Sequence, residues 1–495
     1  MSNIRPSFIL VGALSLTGCA NLTPDYSRPI APVNGVISET KGTQSALIQL
    51  KAWQEFFPDV RVKELISLSL EYNRDLRIAT ANVAQAEGLF QIQRTLLLPS
   101  VDASGSIAAS NGATTLTSGN NATVQNYTTS IGFTSYEIDF WGRVSSLNAG
   151  ALATYYATLE AQRSSKLNVI ASTASAYIDW LSAKESLDLA DQTLTGRENF
   201  YELMKLRESI GIASNLDLAQ AEVAQVTVEA QRAKLIRALV NARAKLELLV
   251  GTPLDVILNK PTISKIDVLK FHVPKNLSSQ IILSRPDIME AEELLISSNA
   301  NIYAARAAFL PQISLNGNVG LSSQSLGELF SSNASVWSFG PSINIPIFDN
   351  GRQANLDVAK ALQERNIAQY EKAIQVAFFE IYTEFEGRKA RKIEVHAIQR
   401  LVKAEQRRLS LAQARYNAGL SSYFEVLDSQ QNLFTAQQSL IESQRGLSDS
   451  VIELYRALGG GDGINSSFRD RNTNNVPVPK LISETATTEV KINPD

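Results

Sequence analysis

Asn73-Arg74-Asp75-Leu76 leading to Leu98-Pro99-Ser100-Val101, and Arg285-Pro286-Asp287-Ile288 leading to Leu310-Pro311-Gln312-Ile313, are two copies of one pattern set roughly 210 residues apart. The echo continues in register along both copies. Glu137-Ile138-Asp139-Phe140-Trp141-Gly142-Arg143 is answered by Pro346-Ile347-Phe348-Asp349-Asn350-Gly351-Arg352, and Gly211-Ile212-Ala213-Ser214 by Gly419-Leu420-Ser421-Ser422. Leu249-Val250-Gly251 is answered in turn by Ala457-Leu458-Gly459. Agreement at several landmarks makes the chain a tandem repeat, with first and second copies at 59–251 and 275–459.

Inside each copy the hydrophobic period changes. After Pro99, Val101, Ala103, Gly105, Ile107 and Ala109 alternate with Asp102, Ser104, Ser106 and Ser110; after Pro311, Ile313, Leu315, Val319 and Leu321 alternate with Ser314, Asn316, Asn318 and Ser322. A return run follows each. Tyr127, Ile131 and Phe133 oppose Thr128, Ser130 and Thr134, while Trp337, Phe339, Ile343 and Ile345 oppose Ser338, Ser342 and Asn344. Period two over about 10 residues, with aromatics near the ends, predicts four membrane-crossing strands in hairpins 100–140 and 312–347. The competing reading is the half-buried sheet of a soluble protein, which alternates in the same way. Four strands leave two open edges, and an open edge in lipid strands its backbone N–H and C=O groups. The barrel must therefore be shared: two chains give eight strands, three give twelve and begin to leave a lumen.

The remainder reads as helix. From about Arg143 to Ile210, and again from about Arg352 to Ala418, there is no proline and almost no glycine, so each stretch predicts one helix on the order of 100 Å long. Shorter helices are expected from about Asp59 to Leu98, Ser214 to Val250, Lys275 to Leu310 and Ser422 to Leu458. Small residues recurring on faces that also carry Leu and Val suit close coiled-coil packing. A plain fibrous coiled coil has no use for the intervening strand pairs. The expected fold class is thus an α+β membrane protein, with a long α-helical coiled-coil tunnel and four transmembrane strands per chain.

The first residues fix the compartment. Arg5, the apolar run Phe8 to Leu16 and Leu16-Thr17-Gly18-Cys19 have the layout of a lipoprotein signal peptide over 1–18. Cys19, the one cysteine of the chain, closes that signal and is the expected lipidation site; it also rules out a disulfide. Beyond the signal no run of about 18 apolar residues occurs, so no transmembrane helix is expected. A formal net charge of -3 gives no reason to expect nucleic acid. His272 and His396 stand far apart with no H-x-x-x-H, C-x-x-C or G-x-S-x-G around them, which leaves an enzyme reading without support; no cofactor or metal is expected beyond lipid on Cys19. Gly459-Gly460-Gly461-Asp462-Gly463 follows a helix rather than a strand and lacks Lys-Ser/Thr, so it is not a phosphate loop, and the 460–495 tail reads as disordered or draped on the surface.

Trp53, Phe56-Phe57-Pro58-Asp59, Leu65-Ile66, Asn73 to Leu76, and Arg285 to Ile288 with Ala291-Glu292 and Leu310-Pro311 resemble the TolC-like outer-membrane efflux lipoproteins of the NodT or OprM type, over nearly the whole mature chain. The resemblance implies a homotrimer: a twelve-stranded outer-membrane barrel continuing into a periplasmic helical tunnel. It implies a mixed belt at the waist, built from 19–58, the 252–274 connector and the start of the tail. It also implies a passive exit duct for drugs and other small molecules, served by a periplasmic adaptor and an inner-membrane pump, commonly of the proton-driven RND class. Ala20, in place of aspartate after Cys19, favours the outer membrane under the family's sorting rule. A type I protein-secretion duct and a non-conducting periplasm-spanning lipoprotein stand as alternatives.

Two turns then become candidate functional sites. Arg207 to Asp217 and Arg415 to Glu425 each contain glycine, Gly211 or Gly419, where a helix ends in left-handed geometry, and a serine, Ser214 or Ser422, placed to cap the next helix. The resemblance makes them the periplasmic tip that docks on the adaptor, and it places Glu425 and Asp428, matched by Asp217 and Gln220, at the narrow entrance. Glu425 and Asp428 share a helical face continued by Gln431, Asn432, Thr435 and Ser439. Three-fold symmetry would turn each acid into a ring that attracts cations; a solvated helix start with acids placed well against the dipole is the plainer reading. Some TolC-like proteins hold the gate with a basic residue in this turn, where this chain has Leu420-Ser421-Ser422. A latch must therefore use Arg207, Arg415 or a neighbour, or be absent.

Overall fold

The computed structural model describes residues 28–29, 52–113, 121–258 and 279–461; Cys19, nearly all of the N-terminal segment and most of the 252–274 connector and of the tail lie outside them. The elements in order are α1 (Trp53–Phe56), α2 (Val60–Tyr72), α3 (Arg74–Thr95), β1 (Asp102–Ala113), β2 (Asn121–Ile138), α4 (Arg143–Ser209), α5 (Asn215–Val250) and α6 (Asp255–Leu258). A 3-10 turn (Ser279–Ser284) opens the second copy, followed by α7 (Pro286–Ala307), β3 (Gln312–Ser323), β4 (Ser335–Asn344), α8 (Asn350–Asn417) and α9 (Tyr423–Ala457). The two long helices run 67 and 68 residues, about 100 Å each at 1.5 Å per residue. Among the described residues no helix is long and apolar enough to cross a membrane.

Two of the shorter helices differ from expectation, and for one reason. Asp59 to Leu98 is not a single helix: Asn73 is extended (φ -62, ψ 131), ends α2 and caps α3 through its side-chain oxygen on the Leu76 N–H. In the second copy the helix begins only at Pro286, because Arg285 is extended in the same way (φ -66, ψ 138). Both breaks are held from a distance. Asn73 Nδ2 donates to the Leu249 carbonyl at 2.7 Å, and Arg285 Nη1 donates to the Ala457 carbonyl at 2.6 Å. The break residue of each copy thus caps the last turn of the helix that closes that copy, satisfying a carbonyl with no partner inside its own helix. Gly251, at φ 80, lies so close to this junction that a Cβ would come within 2.5 Å of the Tyr72 carbonyl oxygen.

The four strands form one antiparallel sheet in the order β1-β2-β3-β4. Its register sorts the faces. Ala103, Ile131, Val319 and Trp337 stand in one row across all four strands, with Trp337 77 % exposed, while Ser106, Thr128 and Ser322 stand in a row on the other face. Hydroxyl contacts Ser104–Ser130 (3.1 Å) and Thr128–Ser322 (3.4 Å) run along the polar face. An irregularity between Phe133 and Tyr136, with Ser135 at φ 56 donating its N–H to Asn316 Oδ1, shifts the parity of β2. Without that extra residue Tyr136 and Ile138 would point to the polar face; with it they stand opposite Leu315 and Ile313. Pro341 sits in β4, where its missing N–H costs no ladder bond on the chain's own outer edge. Among the described residues, edges β1 and β4 are both unpaired.

Below the sheet, α4 and α8 run past their partners as continuous rods. α3 and α7 pack on the upper part of α4, α7 also on α8; α5 and α9 pack on the lower part of α4, and α9 on α8. The core lies at the waist. Trp53, Phe56 and Phe57 join Leu65 and Ile66 of α2, Tyr177, Ile178 and Leu181 of α4, Leu246 and Val250 of α5, and Val451, Ile452 and Tyr455 of α9. A second cluster joins Ile282, Ile288, Tyr370, Ile374, Ile381, Leu454 and Leu458. Each such fully buried side chain contributes about 1.5–3 kcal/mol, which fixes the helices at mid-height and leaves their far ends to be held by other means.

Candidate gate at the helical tip

Those far ends are the two predicted turns. At the first, Gly211 (φ 77) reverses the chain, the Ile212 and Ala213 N–H groups return to the Arg207 carbonyl, and Ser214 begins α5. Ser214 and Asp217 form a complete capping box: Asp217 N–H donates to Ser214 Oγ at 3.1 Å and Ser214 N–H to Asp217 Oδ2 at 3.1 Å. The Asp217 carboxylate is therefore committed to the turn. At the second, Gly419 (φ 68) plays the same part and Leu420 N–H returns to the Arg415 carbonyl, but the Ser422 hydroxyl makes no cap bond. Ser422 holds the N-cap position by its extended backbone alone, a difference from the expected side-chain cap. At the third helical position, where the first turn has Asp217, the Glu425 N–H returns to the Ser422 carbonyl at 3.3 Å and the Glu425 carboxylate lies toward Arg415.

This frees the acids of the second turn for other partners. Arg415 Nε lies 3.6 Å from Glu425 Oε2, with both side chains about half exposed, and Arg408 Nη2 pairs with Asp428. Arg408 was not singled out from the sequence; it lies twenty residues before Asp428, and only the α8–α9 hairpin brings them together. Exposed pairs of this kind contribute about 0–1 kcal/mol each, so they position the acids without locking them. Arg207 is elsewhere: its Nη1 donates to the Tyr416 hydroxyl at 2.6 Å, with the guanidinium over the ring.

A small core ties the first copy to the second just above the turns. Phe200 of α4 stacks on Tyr423 of α9 at 3.6 Å, Tyr416 of α8 meets Tyr423 edge-on, and Ala412 and Val426 fill in around them. Arg197, 4 % exposed, donates to Gln430 Oε1 at 2.7 Å. Burial pushes the Tyr423 phenol above its ordinary range, against the pull of the Arg197 charge, and burial likewise lowers Arg197. Phe200 and Tyr423 carry no sequence signal beyond apolar periodicity.

From Glu425 upward, α9 carries Asp428, Asn432, Thr435, Ser439 and Glu442 at alternating steps of three and four, one face of a helix. Val451, Ile452 and Tyr455 occupy the opposite side, in the waist core. The polar stripe thus runs from the tip to Glu442 on the side turned away from the waist core, and the acids at the tip are its lower end.

With this geometry in view, residues 65–252 and 277–460 each match the outer membrane efflux protein family, one match per repeat. The chain belongs to that family. It is 39% identical over 461 residues, 92% of this chain and 95% of its relative, to the probable efflux pump outer membrane protein TtgC of Pseudomonas putida. It is 36% identical over 403 residues, 80% of this chain and 86% of its relative, to the cation efflux system protein CusC of Escherichia coli. Among solved structures, the open state of the MtrE outer membrane channel of Neisseria gonorrhoeae superposes with a TM-score of 0.80 at 33% identity, covering 89% of this chain and 98% of that one. The efflux-protein fold explains the amphipathic sheet with open edges and the long rods below it: the strands are this chain's share of a barrel, and the helices continue it as a tunnel. The protein is the outer-membrane channel of an efflux system, and its chemistry is conduction.

Proposed function

We propose that three copies of this chain close a twelve-stranded barrel and a helical tunnel, anchored by lipid on Cys19, and that the tip carrying Glu425 and Asp428 is the gate of a passive duct for small molecules. The observation that carries the reading is the sheet register: an apolar row across all four strands and a polar row behind it, with β1 and β4 both unpaired. Lipid accepts such a sheet only when its edges are closed by further strands, and twelve strands leave a lumen where eight would be filled by side chains. A polar stripe along α9 that ends in two acids supports the path of the conducted molecules and the place of its constriction. The turns at Arg207, Gly211 and Ser214 and at Arg415, Gly419 and Ser422 face away from the waist core and form the docking ends for a periplasmic adaptor, which joins the duct to an inner-membrane pump of the RND class. TtgC and CusC are named for efflux pumps and cation efflux, which supports small solutes as the cargo.

The test is planar-bilayer conductance of the purified lipidated protein, with its oligomeric mass taken on the same sample. A trimer with discrete, cation-preferring openings is expected. Glu425→Ala with Asp428→Ala should change the single-channel conductance and weaken cation preference, since removing fixed charge from a constriction removes its field. An unchanged conductance and reversal potential in that variant would remove the gate assignment, and a monomer that never conducts would remove the duct.

A further inference from the structure

Some way above the tip, where the polar stripe of α9 reaches the level of the waist core, three helices meet over a set of charges. Arg445 of α9 extends its Nη1 to two carboxylates at once, Asp179 Oδ1 of α4 at 2.8 Å and Asp449 Oδ2 at 3.4 Å, and its Nη2 to Glu442 at 2.7 Å. Lys245 of α5 reaches the other oxygen of Asp179 at 3.1 Å. Asp179 is thereby the knot that joins α4, α5 and α9. Asp449 is the odd member. It has the longer contact to Arg445 and the Ser175 hydroxyl of α4 beside it, and its Oδ1 is sealed from solvent without a hydrogen-bond partner. A sealed carboxylate oxygen without a donor is unfavourable as an anion and acceptable as part of a neutral carboxyl.

We propose that Asp449 is a proton-operated brace of the tunnel wall: with a proton on its carboxyl, α9 stays seated against α4 at the Asp179–Arg445 knot, and on losing that proton this seam loosens.

The surroundings agree from every side. On α4, Asp179 repels an ionised Asp449 while the Ser175 hydroxyl stabilises it slightly; on α9, Glu453 repels and Arg445 attracts; on α5, the Lys245 ammonium is already held by Asp179. Across α8, Glu380 is occupied by Arg285 and Arg456, and Arg391 lies over Gly446, 3.0 Å from where a Cβ would stand. Burial first, then the charge of Asp179, lifts the Asp449 carboxyl from 3.8 to about 6. The sign follows. A packed wall that holds the proton more tightly than an opened one is most favoured below the solvent-exposed value, and loses that advantage as pH rises through about 6. The largest possible change in the packed-to-opened ratio between acid and neutral pH is on the order of 100-fold, a factor of ten for each pH unit between the two values.

This inference rests on the wall being that of a conducting tunnel, but its first test does not. Hydrogen exchange over the upper part of α9, corrected for intrinsic rates, is measured on the full-length protein from pH 4.5 to 7.5, beside the infrared band of protonated carboxyl groups. The wild type should lose protection as pH rises, with one component of the protonated-carboxyl band disappearing near pH 6; Asp449→Asn should lack that component and stay protected throughout. Asp179→Asn should move the transition to lower pH, because it removes the repelling charge and leaves Arg445 to Asp449. Glu425→Gln with Asp428→Asn, at the tip, should leave it in place. An Asp449→Asn protein with the wild-type profile overturns the proposal, as does a wild type with no transition. Conductance recorded over the same pH range separates the two readings: absence of current at every pH counts against the duct, whereas current with identical pH dependence in wild type and Asp449→Asn counts against the brace.

Discussion

Replacing Arg285 by Met tests whether the long-range cap at the waist holds the end of α9. The substitution keeps most of the buried stem and removes the guanidinium, which is 5 % exposed and binds the Ala457 carbonyl at 2.6 Å, Asp287 at 2.7 Å and Glu380 at 2.8 Å. Stripping one partner from a buried ion pair costs about 3–5 kcal/mol. Here two features soften the loss: Glu380 keeps Arg456 at 2.9 Å, and Asp287, about a third exposed, is rehydrated. The Ala457 carbonyl keeps no such recourse, and an unsatisfied buried acceptor costs about 1–3 kcal/mol. A total near 3 kcal/mol is expected, on the order of a 150-fold rise in local opening. Hydrogen exchange read peptide by peptide measures it. The rise should be confined to the last turns of α9 and the first turn of α7, with the end of α5 unchanged. Asn73→Ala should do the reverse, loosening the end of α5 around Leu249 by about 2 kcal/mol, one cap and one hydrogen bond, and sparing α9. Protection at α9 unchanged in Arg285→Met, or loosening spread equally over both copies, would refute the argument.

Other consequences are equally local. Gly251→Ala should destabilise by well over the ~1–2 kcal/mol of left-handed strain, because its Cβ meets the Tyr72 carbonyl, whereas Gly211→Ala, with open space around it, should cost about that strain alone; thermal unfolding of the two variants makes the comparison. Ser214→Ala should cost about 1 kcal/mol at the start of α5 and Ser422→Ala close to nothing at α9, since only the first serine makes a cap bond; exchange rates at the two turns report it. Ile131→Lys, in the apolar row of the sheet, should cost about 2–4 kcal/mol if it lies near the bilayer midplane, while Thr128→Lys on the polar face should fold normally and change conductance; urea unfolding in lipid together with bilayer recordings distinguishes the two faces.

The features legible in the sequence are those set by local pattern. Period two placed the four strands, and the absence of proline and near-absence of glycine gave both long helices to within a residue or two of their observed ends. Gly211 and Gly419 marked the tip because no other residue takes that backbone conformation cheaply. What escaped was decided by contacts far away in the chain. Asn73 is unremarkable inside a helix until the Leu249 carbonyl, at the other end of its repeat, offers the side chain a second partner. Ser135 breaks the alternation only because Asn316 of the next hairpin receives its N–H. At the tip, spacing put Glu425 and Asp428 on one helical face and the family resemblance made them gate candidates, but Arg408 went unmarked, since pairing across a hairpin depends on how the two helices are phased. The serine motifs looked alike and behave differently: the Asp217 N–H goes to the Ser214 hydroxyl, whereas its counterpart on Glu425 goes to the Ser422 carbonyl, a choice set by the backbone of each turn.

The breaks at Asn73 and Arg285 also set how the tube can deform. Each chain supplies four staves to the wall, two in one piece and two spliced at the waist, α5 to the α2–α3 joint and α9 to the start of α7. A one-piece stave carries bending and torsion from the barrel to the tip. A spliced stave carries compression through its joint but less torque, because no backbone crosses it: a side-chain cap and the apolar packing of the waist core are the link. Solid and jointed staves alternate around the circumference, so a twist of the lower tube reaches the β-barrel through α4 and α8 alone and is damped at the joints of the other two.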